Sequence, residues 1–416
     1  MKVSLQPTLN DVNLDAHQAT SQRQLAVSIS AIANNSQRQV PLNLCLILDQ
    51  SGSMKGQPIE TVKRAAQTLV DRLQPEDRLS IVVFDHRAKV LVPNQTVNNP
   101  DYIKRQIDRL YAEGGTAIDE GLKLGIEELG KGKKEAISQA FLLTDGENEH
   151  GDNDRCLKLA QLAASYNLTL NTLGFGDYWN QDVLEKIADA GGGGLSYIQH
   201  PEQILEEFGR LFDRIQAVEL TNAYLLLSFI PKVRLAELKP IAQVAPDAIE
   251  LPVQQDTYGR YTVRLGDLMK ESQRVVLANM YISQLPEGRH TIASVQICYD
   301  DPAVDQTNLL SDNIPVEINV LRDYKPVNNP QVQQYVLALA KYRQTQLAEQ
   351  KLQQGDRAGA ATMLQTAAKT ALQMGDRSAA TVLQDNATRL QSGEELSESD
   401  RKKTRIVSKT VLQDQE

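Results

Sequence analysis

Between residues 42 and 217 the apolar residues come in short continuous runs separated by stretches of helical spacing, and on both sides of that span the hydrophobic period drops to two. A chain can satisfy both patterns only by building two kinds of sheet. The runs Leu42 to Leu48, Leu79 to Phe84, Val90 to Val92, Ala140 to Leu143, Leu168 to Gly174 and Leu195 to Ile198 predict six strands. The segments between them predict βαβ units wound on a mostly parallel sheet. Ile59, Val62, Ala66, Leu69, Val70 and Leu73 share one helix face, with Pro58 suited to a first turn. The gap from Phe84 to Val90 is too short for a crossover, so it predicts a hairpin and an antiparallel edge. Ile204, Leu205, Phe208, Leu211, Phe212 and Ile215 predict an amphipathic helix that closes the layer.

Outside this span, Val316, Ile318 and Val320 alternate with Glu317 and Asn319. Thr291, Ala293, Val295, Ile297 and Tyr299 form a second alternating face, and Tyr261, Val263 and Leu265 a third. The same alternation precedes the span, where Leu25, Val27 and Ile29 are set against Ala26, Ser28 and Ser30. An early strand left alone would leave its backbone groups unpaired, so residues 1–40 are expected to join the later strands. The expected fold class is therefore α/β: a doubly wound, mostly parallel six-stranded Rossmann-like sheet (residues 41–217) inserted into an antiparallel β-sandwich that resumes over 218–323. A helical bundle over 324–416 is expected to follow.

In that last region Ala, Gln, Leu and Lys dominate, all good helix formers. Gly355-Asp356-Arg357 recurs as Gly375-Asp376-Arg377, a glycine that ends one helix and an aspartate that caps the next. The period is shorter than the roughly 34 residues of a helix-pair repeat, which favours three or four helices in a docking or bracing element. Arg401, Lys402, Lys403, Arg405 and Lys409 are expected to form a solvated basic face. Thr404 and Thr410, each following a lysine, are phosphorylation candidates ranked below that reading.

A net charge of -9 disfavours non-specific binding to nucleic acid. Cys45, Cys156 and Cys298 lack the paired spacing of a zinc or disulfide framework. No stretch approaches the roughly 20 apolar residues of a membrane span, and Met1-Lys2-Val3-Ser4-Leu5 begins no signal-peptide core. The expected location is the cytoplasm.

The chemistry concentrates at the predicted strand exits. Asp49-Gln50-Ser51-Gly52-Ser53 ends the first strand, Glu113-Gly114-Gly115-Thr116 precedes a helix containing Ile118, Leu122 and Ile126, and Leu143-Thr144-Asp145-Gly146 leaves a later strand. Taken singly, each reads as an ordinary turn or cap. Taken together, at the carboxyl ends of parallel strands, they bring Asp49, Ser51, Ser53, Thr116 and Asp145 towards one point as hard oxygen ligands for a cation such as Mg2+.

In this ordered three-part pattern the sequence resembles the von Willebrand factor A (VWA) domain over roughly residues 40 to 217, and the five residues match its metal-ion-dependent adhesion site (MIDAS). The resemblance implies that Ser51, Ser53 and Thr116 present hydroxyls to Mg2+, directly or through water, while Asp49 and Asp145 act directly or from behind them. Mn2+ or Ca2+ are the substitutes. Two carboxylates leave such an ion electrophilic towards an Asp or Glu of a partner protein. Gly52, Met54, Gly115, Gly146 and Glu147 are expected to face that partner, and Glu147, Glu149 and Asp152 to form a solvated acidic loop. The whole is similar to bacterial intracellular VWA proteins, which implies a non-enzymatic adaptor or scaffold. Ring ATPases and phospho-signalling proteins are among the partners it permits. The helix from Pro201 to Val218 is the expected element of any open–closed switch.

Two other readings remain. Asp49 could serve a metal-dependent hydrolase or phosphatase, although the Asp-x-Asp pattern of such enzymes is broken by Ser51 and no P-loop follows the strand. His86, His150 and His200 have no catalytic or ligating spacing. The ion could also be purely structural, bracing three loops.

Overall fold

The computed structural model describes residues 2–32, 40–134, 136–270 and 272–410. The chain opens with strands β1 (Val3–Leu9), β2 (Asn13–Asp15) and β3 (Thr20–Ala31), then enters a complete α/β unit. That unit runs β4 (Leu42–Asp49), α1 (Gln57–Arg72), β5 (Arg78–Phe84), β6 (Ala88–Thr96), α2 (Pro100–Ile107), α3 (Ile118–Lys131), β7 (Ile137–Thr144), α4 (Asn153–Ser165), β8 (Thr169–Phe175), α5 (Gln181–Gly191), β9 (Gly192–Ile198) and α6 (Gln203–Gln216). The sheet order is β6-β5-β4-β7-β8-β9. All pairs are parallel except β5–β6, the hairpin anticipated from the short gap, whose second strand is longer than Val90 to Val92 alone.

Every residue of β4 is buried because helices cover both faces of the sheet. Its alternate side chains feed two cores: Leu44, Leu46 and Leu48 meet α1 and α6, while Cys45 and Ile47 meet α3, α4 and α5. The chain then returns to β-structure with β10 (Val218–Phe229), β11 (Val233–Leu235), β12 (Ile241–Ala245), β13 (Ile249–Glu250), β14 (Gln254–Gln255), β15 (Tyr261–Met269), β16 (Arg274–Ser283), β17 (Gly288–Asp301), β18 (Gln306–Leu310) and β19 (Ile314–Leu321). One sheet is ordered β1-β3-β16-β12-β13, the other β14-β15-β10-β17-β19-β2. They share a core that includes Leu25, Val27, Leu225, Val276, Val295 and Ile318. The early strands thus join the late ones, and β2 pairs parallel to β19, a departure from the purely antiparallel expectation.

Among the described residues four helices follow: α7 (Pro330–Gln353), α8 (Arg357–Gln373), α9 (Arg377–Gln391) and α10 (Glu398–Lys409). Asp356 and Asp376 cap α8 and α9 as the repeated triplet implied. Buried alanines on α8 and α9 let these helices pack closely. Val332, Leu339 and Tyr342 of α7 pack on the outer face of the sandwich against Ala26, Val244 and Leu277. Among the described residues no helix is long and apolar enough to cross a membrane.

The basic stretch is not the solvated face expected of it. Arg401 and Lys403 are exposed, but Lys402 is 1% exposed, and Arg405 and Lys409 turn inward onto α5. Arg405 pairs with Asp182 and Glu185, and Lys409 with Glu185 and Asp189. The physical reason is a spacing match: residues 402, 405 and 409 and residues 182, 185 and 189 follow the same helical interval, and the two stripes run in the same direction. Lys402 reaches past the start of α5, donating to the Asp177 carbonyl at 2.5 Å and lying 4.2 Å from the Trp179 ring centre. The Thr404 hydroxyl is buried and accepts from Asn386 at 2.6 Å, so a phosphate there would require α10 to lift; Thr410 is exposed.

Candidate metal centre

Three loops meet at the carboxyl end of the α/β sheet. Gly52 N–H donates to the Gly114 carbonyl at 2.9 Å and Glu113 N–H to the Gln50 carbonyl at 2.7 Å, tying the first loop to the second. Asp49, fully buried at the end of β4, accepts from Ser51 N–H at 2.7 Å and from the Thr144 hydroxyl at 2.5 Å. The Ser51 and Ser53 hydroxyls are 3.0 Å apart, and Ser53 donates to Asp145 at 2.7 Å. The Thr116 hydroxyl comes from the second loop and lies beside Gly146. Ser51, Ser53, Thr116 and Asp145 line one open cleft, with Asp49 directly behind them. All five anticipated residues are therefore brought together, and Thr144, which fixes the Asp49 rotamer, is the partner that sequence reasoning passed over.

The electrostatics are unbalanced. Burial pushes the Asp49 carboxyl up to about 7, against the pull of hydrogen bonds from Thr144 and Ser51, and the neighbouring Asp145 carboxylate adds to the rise. Burial raises Asp145 too, with the Ser53 hydrogen bond opposing. Among the described residues neither carboxylate forms an ion pair with a Lys, Arg or His. Nor do three or more His, Cys, Asp and Glu gather among the described residues as a metal-binding group. The donors at this point are two carboxylates and three hydroxyls, an all-oxygen set suited to a hard divalent cation rather than to zinc.

The surrounding residues divide. Gly52 and Glu147 are exposed, and Gly115 and Gly146 are half-buried. Met54, expected to face a partner, is fully buried: the short 3-10 turn Gly52–Met54 swings it under α1 into the core. Asp152 does not belong to a free acidic loop but caps α4 by accepting from Asp154 and Arg155 N–H. The His150 ring packs over Gly115, so that a Cβ there, 2.4 Å from the ring, would push this exposed side chain aside. His150 N–H in turn donates to the Thr116 carbonyl at 3.0 Å and braces the loop.

Residues 43–209 match the family model of the von Willebrand factor type A domain, and residues 330–414 that of the Sll0103-like, C-terminal alpha-helical domain. Fold and loops together define a VWA-domain protein. A Synechocystis sp. protein, the uncharacterized sll0103, is 62% identical over 413 residues, covering 99% of this chain and 98% of the relative. The chain belongs to this Sll0103-like family. A von Willebrand factor type A protein from Catenulispora acidiphila, at 20% identity and a TM-score of 0.85, shares the fold across 99% of this chain and 97% of its own. Bovine inter-alpha-trypsin inhibitor heavy chain H4 is 28% identical over 265 residues, 60% of this chain and 27% of that protein. VWA domains often mediate protein–protein interactions and commonly bind a divalent metal.

Proposed function

We propose that this protein is a Mg2+-dependent protein-interaction module, an adaptor whose ion is held by Asp49, Ser51, Ser53, Thr116 and Asp145 and recognises an Asp or Glu carboxylate of a partner. The reading rests on one observation: two buried carboxylates meet no basic side chain among the described residues, yet open through hydroxyls onto a cleft. A bound divalent ion supplies the missing positive charge and a Lewis-acidic position for an incoming oxygen. The chain's own residues do the positioning. Thr144 and Ser51 N–H hold the Asp49 carboxylate, Ser53 orients Asp145, and the neutral hydroxyls leave the ion's charge largely unquenched. Mn2+ or Ca2+ could replace Mg2+ in the same donor set. The proposal includes a cytoplasmic location.

Calorimetric titration with Mg2+ tests the site. Thr116→Ala and Asp145→Ala should weaken binding about ten- to hundredfold while circular dichroism stays unchanged. Unaltered Mg2+ affinity in Thr116→Ala would remove that residue from the ligand set. Partner capture that survives EDTA would remove the ion from recognition.

A further inference from the structure

The cleft over the candidate ion is not built by the VWA domain alone. Its rim includes Asp177 and Tyr178 from the loop after β8, and Glu398 from the first turn of α10 in the helical domain. Five carboxylates line it, those of Asp145, Glu147, Glu149, Asp177 and Glu398, and among the described residues no Lys, Arg or His does. A divalent ion balances Asp49 and Asp145, and the Lys402 ammonium, close enough to Asp177, Glu398 and Glu147 to interact with all three, offsets one charge more, which leaves a net three negative charges around the point where a partner's carboxylate must arrive. An unaccompanied carboxylate would be repelled there.

Two observations show what would relieve that repulsion. The Tyr178 ring is 85% exposed at the rim, an aromatic face beside carboxylates, the usual environment for an alkylammonium or guanidinium group. The same chemistry already operates next to it, where Lys402 lies 4.2 Å from the Trp179 ring centre. Asp177 is fixed by the Tyr197 hydroxyl at 2.6 Å. The Glu398 side chain is 68% exposed, its ion pair with Arg401 is a loose one at 3.8 Å that neutralises little, and it shares the Lys402 charge with Asp177 and Glu147. Its position is set by the buried contacts of Lys402, Arg405 and Lys409 further along α10.

We propose that the cleft selects a protein segment in which the metal-binding Asp or Glu is flanked by Lys or Arg, and that the helical domain contributes to this selection through Glu398. The proposal rests on the metal-dependent reading above. It makes the C-terminal domain part of the recognition surface as well as a brace.

The test uses the full chain with Mg2+ at low ionic strength and fluorescence anisotropy of three labelled synthetic peptides. Each carries a central aspartate, between lysines, between serines or between glutamates. The expected order of affinity is lysine, then serine, then glutamate, with the lysine preference collapsing in about 1 M salt, where the screening length is only a few ångströms. Glu398→Gln, an exposed change, should reduce the lysine-over-serine preference about threefold. Equal binding of the lysine and serine peptides would overturn the proposal. So would tighter binding of the lysine peptide by Glu398→Gln, which would make Glu398 a competing internal ligand of the ion. Calorimetry with Mg2+ alone separates the two levels: no Mg2+ binding defeats the metal reading and this inference with it, whereas Mg2+ binding without the peptide preference defeats this inference only.

Discussion

Removing Arg405 should loosen α10 from the VWA domain far more than removing Arg401, four residues earlier on the same helix. The Glu185 side chain is 4% exposed and the Arg405 side chain 13%, and Arg405 Nε lies 2.5 Å from a Glu185 oxygen. Neither of these two atoms has an aligned hydrogen-bond partner, so this contact is coulombic. Arg405 also lies 3.3 Å from Glu349. Deleting one member of a buried pair costs about 3–5 kcal/mol because the other charge is stranded. Here Lys409 stays 3.0 Å from Glu185 and limits the stranding, which brings the expected cost of Arg405→Ala to about 2–3 kcal/mol. Arg401 is half-exposed and, among the described residues, its contact within ion-pair distance is the loose one to Glu398, so Arg401→Ala should cost about 0–0.5 kcal/mol. Hydrogen exchange followed by mass spectrometry over Glu398–Lys409 reads the opening of this helix directly. Arg405→Ala should accelerate exchange about 30- to 150-fold, Arg401→Ala about twofold or less. Equal acceleration by the two variants, or none by Arg405→Ala, would refute the assignment of these residues to a buried clamp and a solvated edge.

Lys341 is completely buried, pairs with Asp376 at 3.0 Å and donates to the carbonyls of Val407 and Thr410 at 2.8 and 3.2 Å. Lys341→Met should therefore destabilise the helical domain by about 3 kcal/mol or more, seen as an earlier calorimetric transition; an unmoved transition would contradict the stranding of Asp376. Gly125→Ala would place a Cβ 2.3 Å from Ile47 Cδ1, between α3 and β4, and should cost about 1–3 kcal/mol in denaturant melts. Adding Ile47→Val should recover part of that loss, and strict additivity would count against the clash. Burial alone would raise the Asp11 carboxyl, but hydrogen bonds from Tyr324, Asn13 and Val327 and the Arg23 charge outweigh it and hold the group below its ordinary 3.8. Its stabilising contribution is therefore present above about pH 4 and lost as pH falls through the lowered value. Asp11→Asn should be less stable than the parent at neutral pH, with the gap in Tm closing in strong acid; a constant gap would refute the linkage.

Much of this architecture is written in local pattern. The parallel strands are continuous apolar runs because both faces are covered; Asp49, Ser51, Ser53 and Asp145 sit at or just beyond strand ends, while Thr116 reaches the same point from the loop before α3. Features that depend on what an element packs against were not legible. Arg401 and Arg405 look alike in sequence, and only the acidic stripe of α5 decides which of them is buried. Met54 follows the Asp49-to-Ser53 loop closely enough to suggest exposure, but one turn of 3-10 geometry reverses its direction. Glu398 lies more than two hundred residues from the loops it joins, and no spacing rule connects them. The parallel β2–β19 pair is hidden for a similar reason, since three residues carry too short a pattern to announce a partner.

The pairing of β3 with β16 has a consequence for how the molecule is made. Their ten-residue register joins Thr20 with Ser283 at one end and Ile29 with Arg274 at the other, and a side-chain contact such as Gln22–Asn279 bridges 257 positions. At ordinary ribosomal speed that separation corresponds to on the order of tens of seconds. The intervening α/β unit can finish folding within this time, whereas the edge of β3 destined for β16 must wait with its amide and carbonyl groups unclaimed. Nascent chains are most open to wrong strand pairing during this delay, and a chaperone that shields residues 20–29 would act then rather than on the finished protein.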